Sequence, residues 1–91
     1  MKGTEKQIKW AQDIIEAAYE SVNCMARNIE RNDKYGLPEL PYNTESLTVL
    51  KAWLDREIGA IDNAAVIINV RGKLTYDALN TMAINYTKHG F

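Results

Sequence analysis

Few side chains in this chain of 91 residues are of the types that carry out catalysis. The only histidine, His89, lies beside Gly90 near the C-terminal end, and the end of a helix would hold a general base poorly. The only cysteine, Cys24, falls on a largely apolar stripe, where we expect a packed thiol in a reducing compartment. No cluster of carboxylates has ligand spacing, so metal and cofactor sites are not indicated. We therefore expect a protein that is not an enzyme and that uses neither metal nor cofactor.

Three acidic residues recur at a spacing that places them on one face of a helix. They are Asp13, Glu16 and Glu20. Such a row is typical of a solvated helix face, but it could also contact a partner protein, with the carboxylates standing in for phosphates in a basic groove. We predict this row as one of two partner-binding surfaces.

The second predicted surface lies in residues 32–43, where Gly36, Pro38 and Pro41 interrupt helical structure. Four apolar side chains are spaced through this segment: Tyr35, Leu37, Leu40 and Tyr42. An ordered loop with apolar groups can dock on a partner protein. The alternative is a connector whose side chains only cover the end of the core.

Residues 64–88 suggest an alternative function in nucleic-acid binding, because two helices joined by a short turn could form a helix-turn-helix. Against this, Asp77 lies in the first turn of the second helix, which contains no arginine. The formal net charge of −1 also gives no general attraction to nucleic acid. The side chains that would contact nucleic acid are Arg71, Lys73, Asn80 and Thr81.

One long helix, predicted from Thr4 to about Arg31, would organise these candidates. Thr4 with Gln7 forms a capping box at its start. Small or apolar side chains alternate at steps of three and four along one face: Ile8, Ala11, Ile15, Ala18, Val22, Met25 and Ile29. A second row lies beside it, formed by Trp10, Ile14, Ala17, Ser21 and Cys24. If the rest of the chain leaves part of these rows uncovered, a homo-oligomer through this helix is expected.

Three shorter helices are predicted to follow, from Asn43 or Thr44 to about Gly59, from residue 64 to a glycine cap at Gly72, and from Thr75 onward. Val49 and Trp53 are expected to widen the buried face of the first of them. Residues 66–70 also fit a strand, but no second strand-like run could pair with it, so a helix is favoured. The prediction is an all-α single domain of residues 1–91, a small four-helix bundle organised on its long N-terminal helix, with no membrane span.

The opening of the chain, TEKQI-x-WA, resembles that of small, uncharacterised helical proteins of Gram-positive bacteria and their phages. The residues that carry this resemblance are Thr4, Glu5, Lys6, Gln7, Ile8, Trp10 and Ala11. The resemblance implies a phage or mobile-element setting, in which small binders often inhibit a host enzyme or defence protein, and it assigns no catalytic residue. The polar start MKGTEKQ also lacks the apolar segment of a secretion signal. We therefore expect a cytoplasmic, non-enzymatic module that binds a protein partner.

Overall fold

The computed structural model describes residues 1–90 and folds them into four α-helices and one short 3-10 turn, with no β-strand in that range. The helices are α1 (Glu5–Tyr35), α2 (Thr44–Gly59), α3 (Ala64–Asn69) and α4 (Tyr76–His89), and the 3-10 turn is Arg71–Lys73. The predicted all-α bundle on a long first helix is confirmed. Residues 66–69 are helical, so the helix favoured for that stretch is confirmed over the strand.

The first helix begins as predicted but ends later. Thr4 Oγ1 accepts a hydrogen bond from Gln7 N at 3.1 Å, and Gln7 Oε1 accepts one from Thr4 N at 3.0 Å, which completes the capping box. The predicted end near Arg31 is wrong, because the helix continues to Tyr35. It stops where Gly36 adopts a left-handed conformation, with φ 63°, and donates its N–H to Asn32 O. Tyr35 is therefore the last helical residue and not part of the connector.

The three shorter helices cover different parts of α1. With 31 residues, α1 is about 46 Å long at 1.5 Å per residue, close to the 48 Å length of the whole molecule. Near its start, Ala11 packs with Ala64 and Ile67 of α3. Farther along, α2 and α4 enclose the larger core cluster, which contains Ala18, Val22, Met25, Tyr42, Leu47, Leu50, Leu54, Leu74, Leu79 and Ala83. The predicted apolar face of α1 is confirmed as the side that these helices bury.

The second apolar row of α1 is only partly covered. Ile14 packs against both core clusters, and Cys24 is half-buried. Ala17 is exposed, and 46% of Trp10 is exposed. Some apolar surface on α1 is thus left open, and the homo-oligomer through α1 stays a prediction.

The N-terminal segment is fastened to the break between α2 and α3. Lys2 N donates to Asp62 O at 2.8 Å, and Ala64 N donates to Lys2 O at 2.7 Å. Gly3 makes this approach with φ 140°, a conformation that favours glycine. Four backbone groups that have no partner within a helix therefore find partners in each other: the N–H and C=O of Lys2, the C=O of Asp62 and the N–H of Ala64.

The end of α3 differs from the prediction. The helix stops at Asn69 with Val70 as its C-cap, and Gly72 lies inside the 3-10 turn instead of capping the helix. A side chain replaces the expected glycine cap, because Arg71 Nη1 donates to Ile68 O at 2.6 Å. Within residues 1–90, no helix is both long and apolar enough to cross a membrane.

Candidate functional site

The strongest candidate site is the tip, which we define as residues 33–43, the end of α1 and the connector to α2. Two apolar side chains are exposed there: Tyr35 at 65% and Leu37 at 49%. Gly36 separates them, and its left-handed conformation turns the chain sharply between the two. The tip thus exposes an aromatic and an aliphatic group on either side of Gly36, at one end of an elongated molecule.

Two hydrogen bonds that involve Asn32 hold this turn. Asn32 O accepts from Leu37 N at 3.0 Å, and Asn32 Nδ2 donates to Pro38 O at 2.9 Å. The connector is consequently ordered on both sides of Gly36. Tyr35 and Leu37 can meet a partner without a large loss of backbone entropy.

The other two apolar residues predicted for this surface have a different place. Leu40 is half-buried and packs against the larger core cluster. Tyr42, also predicted as a partner contact, is only 6% exposed and belongs to the core, so it offers little surface to a partner. Its hydroxyl accepts a hydrogen bond from Asn28 Nδ2 at 3.3 Å, which satisfies the polar end of the ring.

The reason for the burial of Tyr42 is its position directly before the N-cap of α2. Asn43 Oδ1 accepts from Ser46 N at 2.9 Å, which fixes Asn43 as the cap. A hydrophobic residue before the cap packs against one in the next turn in the arrangement called a hydrophobic staple. Leu47 is at that second position and belongs to the same core cluster as Tyr42. This pattern is readable in the sequence and would have placed Tyr42 in the core.

A cavity of about 340 Å³ opens beside Leu37 of the tip. Leu37 and Leu40 line it, together with Ile29 of α1 and Thr87 near the end of α4. Asp33 and Glu39 also border the cavity. Both acids are exposed, and neither forms an ion pair in the described part of the chain. The tip therefore combines an apolar floor with an acidic rim.

The predicted acidic row is exposed on one face of α1, as expected from its spacing, but two of its members are paired. Asp13 Oδ1 lies 2.9 Å from Lys9 Nζ, and Glu20 Oε1 lies 2.6 Å from Arg27 Nη2. The hydrogen bond from Arg27 lowers the pKa of the Glu20 carboxyl. Glu16 is the one member without an ion pair among the described residues. The row thus offers less free negative charge than its sequence indicates.

The residues of the nucleic-acid alternative do not form an open basic surface. The Arg71 guanidinium lies 5.1 Å from the ring centroid of Trp10 and also donates to Ile68 O. Lys73 and Thr81 are exposed, and Asn80 is half-buried. α3 has only six residues and packs mainly against α1, whereas α4 packs against α2 and α1. In a helix-turn-helix the two helices form a unit around a turn, and here each is positioned by a different neighbour.

No grouping suited to catalysis is apparent in residues 1–90. His89 is exposed as the last residue of α4, and Cys24 is half-buried on α1. The same residues contain no group of three or more His, Cys, Asp or Glu side chains placed to hold a metal ion. Comparison of the chain with protein-family models, with curated proteins and with solved structures found no match.

Sequence reasoning missed a second concave surface, the α2–α4 groove, which lies between those two helices. Val49 was expected to widen the buried face of α2, yet it is 39% exposed at the groove. Trp53 is only half-buried there, beside Met82 and Tyr86 of α4. A short helix buries only the stripe that faces its neighbours, so apolar residues flanking that stripe remain accessible. The sequence does indicate the exposure of Val49 and Trp53, because both lie to one side of the line formed by Leu47, Leu50 and Leu54.

Proposed function

We propose that the protein is a non-enzymatic binding module that recognises a partner protein through its tip. The observation that supports this proposal is the exposure of Tyr35 and Leu37 on either side of Gly36, in a turn fixed by Asn32. Tyrosine is among the side chains that contribute most to protein interfaces. A turn that is ordered before binding also lowers the entropic cost of association.

The cavity beside Leu37 suggests the chemistry of the partner. Asp33 and Glu39 border an apolar floor that includes Leu37 and Leu40. A lysine or arginine fits this combination, because its methylene groups can lie on the floor while its charge reaches the carboxylates. We therefore propose a partner segment that carries a basic residue next to an apolar one. Complementary charge at the rim would also raise the rate of encounter.

The proposed setting follows from the resemblance of the N-terminal segment to small proteins of Gram-positive bacteria and their phages. In that setting a cytoplasmic binder of this size would act stoichiometrically, as an inhibitor of a host enzyme or defence protein. Nucleic-acid binding through Arg71, Lys73, Asn80 and Thr81 remains the alternative function. Arg71 is already in contact with the Trp10 ring and Ile68 O, and no other observation favours this function.

The proposal is tested by affinity capture from a lysate of the natural host, with and without nuclease, using the parent protein and a Tyr35→Ala/Leu37→Ala variant. Val66→Ala is the matched control, because Val66 is an exposed apolar residue on α3, away from the tip. We expect one host protein that is retained after nuclease treatment by the parent and the control but lost by the tip variant. Equal retention by the tip variant would overturn the tip as the binding surface. Release of every partner by nuclease would favour the nucleic-acid alternative instead.

A further inference from the structure

The α2–α4 groove is a cavity of about 210 Å³ on the opposite flank of α2 from the Tyr19–Asp55 bond to α1. Its walls are formed mainly by apolar side chains, with Val49 and Trp53 on α2 and Met82 and Tyr86 on α4. One ionised side chain, Arg56, also lines it. The groove does not include the residues of the tip, so an inference about it is independent of the proposed function.

The exposed face of α2 at this groove has an ordered charge pattern. Glu45, Val49, Trp53 and Arg56 follow each other at steps of four, four and three, which places them in one line along the helix. The line is acidic at the start of the helix, apolar in the middle and basic at the end. Glu45 and Arg56 are both exposed, and neither forms an ion pair among residues 1–90.

Such a line is complementary to itself when a second copy runs in the opposite direction. A two-fold axis at the level of residue 51 would set Val49 of each copy against Trp53 of the other. The same axis brings Glu45 of each copy to within one residue, about 1.5 Å along the helix, of the level of Arg56 of the other, an offset that the long arginine side chain can span. Each charge on the line then gains an opposite partner. An isologous dimer requires one patch that pairs with itself, and this line meets that requirement.

From this pattern we infer that the α2–α4 groove is a self-association surface, on which a second copy of the chain docks with its α2 antiparallel. The 16 residues of α2 span about 24 Å. At the roughly 10 Å width of a helix, a face of that length covers roughly 240 Å², less than the roughly 800 Å² per partner that stable complexes bury. The dimer is therefore weak and depends on protein concentration.

Sedimentation analysis of the purified protein tests the inference across concentrations from about 10 μM to about 1 mM at low ionic strength. We expect reversible dimerisation of the parent protein. Glu45→Arg or Arg56→Glu turns both symmetric attractions of the dimer into repulsions, so each is expected to weaken association by about tenfold. The double variant Glu45→Arg/Arg56→Glu restores opposite charges at both ends of the line and is expected to recover the association.

Two controls distinguish this interface from other causes. Lys51→Glu changes an exposed charge on another face of α2 and should leave the association unchanged. Far-ultraviolet circular dichroism on each variant checks that α2 is retained, because Glu45 in its first turn and Arg56 in its last turn each stabilise the helix through its dipole. A monomer at every concentration would overturn the inference, and so would a double variant as weak as the single ones. A dimer that persists in all variants would also overturn it and would favour an interface on α1.

Discussion

The hydroxyl of Tyr19 donates a 2.5 Å hydrogen bond to Oδ1 of Asp55 and so joins the middle of α1 to the second half of α2. This bond to the carboxylate, together with partial burial of the ring, raises the pKa of Tyr19 to about 12 from its ordinary value of 10.0. The fold therefore favours the protonated phenol. Its contribution to stability is fully present below pH 10, where the unfolded phenol is also protonated, and is lost as the pH rises through 12.

We expect Asp55→Asn to lower the pKa of Tyr19 toward 10.0, because the substitution removes the negative acceptor. A titration of tyrosinate absorbance would measure this change, with Tyr19→Phe identifying which component of the curve belongs to Tyr19. Urea denaturation at neutral pH should show a loss of about 0.5–1.5 kcal/mol for Tyr19→Phe. Identical titration curves for the parent and Asp55→Asn would contradict the assigned bond.

The contact between Arg71 and Trp10 predicts a role in stability for a residue that could otherwise be assigned to phosphate binding. Arg71→Ala removes the cation from the indole ring and the hydrogen bond to Ile68 O. We expect a loss of about 1–2 kcal/mol in the free energy of unfolding. Lys73→Ala is the matched control on the same 3-10 turn, and its expected change is below about 0.5 kcal/mol. Urea denaturation followed by circular dichroism measures both.

The same two variants separate this structural role from nucleic-acid binding. If Arg71 and Lys73 contacted phosphates, Arg71→Ala and Lys73→Ala together would reduce retention of duplex DNA and flatten its dependence on salt. We expect the parent protein to show no retention of duplex DNA, so the double variant should behave in the same way. Clear retention by the parent that the double variant loses would establish the alternative function.

The local features of the fold could be predicted from the sequence because they depend on residues a few positions apart. The capping box of Thr4 and Gln7, the cap at Asn43 and the cap at Thr75 all involve side-chain bonds to backbone three positions away. The apolar face of α1 follows from periodicity in the same way. The end of α1 lies later than predicted, because the polar residues Asn32 and Asp33 continue the helix and Gly36 ends it.

Contacts between distant residues could not be predicted in this way. Tyr19 and Asp55 are 36 positions apart, and nothing local to either residue indicates the other. The same holds for Arg71 on Trp10 and for Lys2 beside Asp62. At the candidate site, the exposure of Tyr35 and Leu37 agrees with the predicted surface. The burial of Tyr42 depends on how the start of α2 meets the core. It can be predicted from the sequence only through the hydrophobic staple that Tyr42 forms with Leu47.

The segment before α1 yields a prediction about glycine. A Cβ atom at Gly3 would lie 3.0 Å from Ala64 Cβ, and φ at this position is +140°. We expect Gly3→Ala to lower the free energy of unfolding by about 1–3 kcal/mol, because both the backbone and the contact with α3 are strained. Gly59→Ala is the control, since a Cβ there meets nothing within 4 Å in α2 and should be neutral or stabilising by about 0.5–1 kcal/mol. Equal stability of the two variants would show that the first three residues do not hold the break before α3.

The acidic row on α1 gives the last prediction, which concerns the partner captured through the tip. Lys9 and Arg27 already offset the charges of Asp13 and Glu20, whereas Glu16 has no such partner among the described residues. If the row contacts a basic surface of the partner, Glu16→Lys should weaken binding more than Asp13→Lys or Glu20→Lys does. The difference should shrink at high salt, because all three carboxylates are exposed. Calorimetric titration at two salt concentrations would measure it, with Glu16→Gln separating loss of charge from reversal of charge. Unchanged affinity in Asp13→Lys/Glu16→Lys/Glu20→Lys, at unchanged helicity, would remove the row from the interface and leave Tyr35 and Leu37 as its centre.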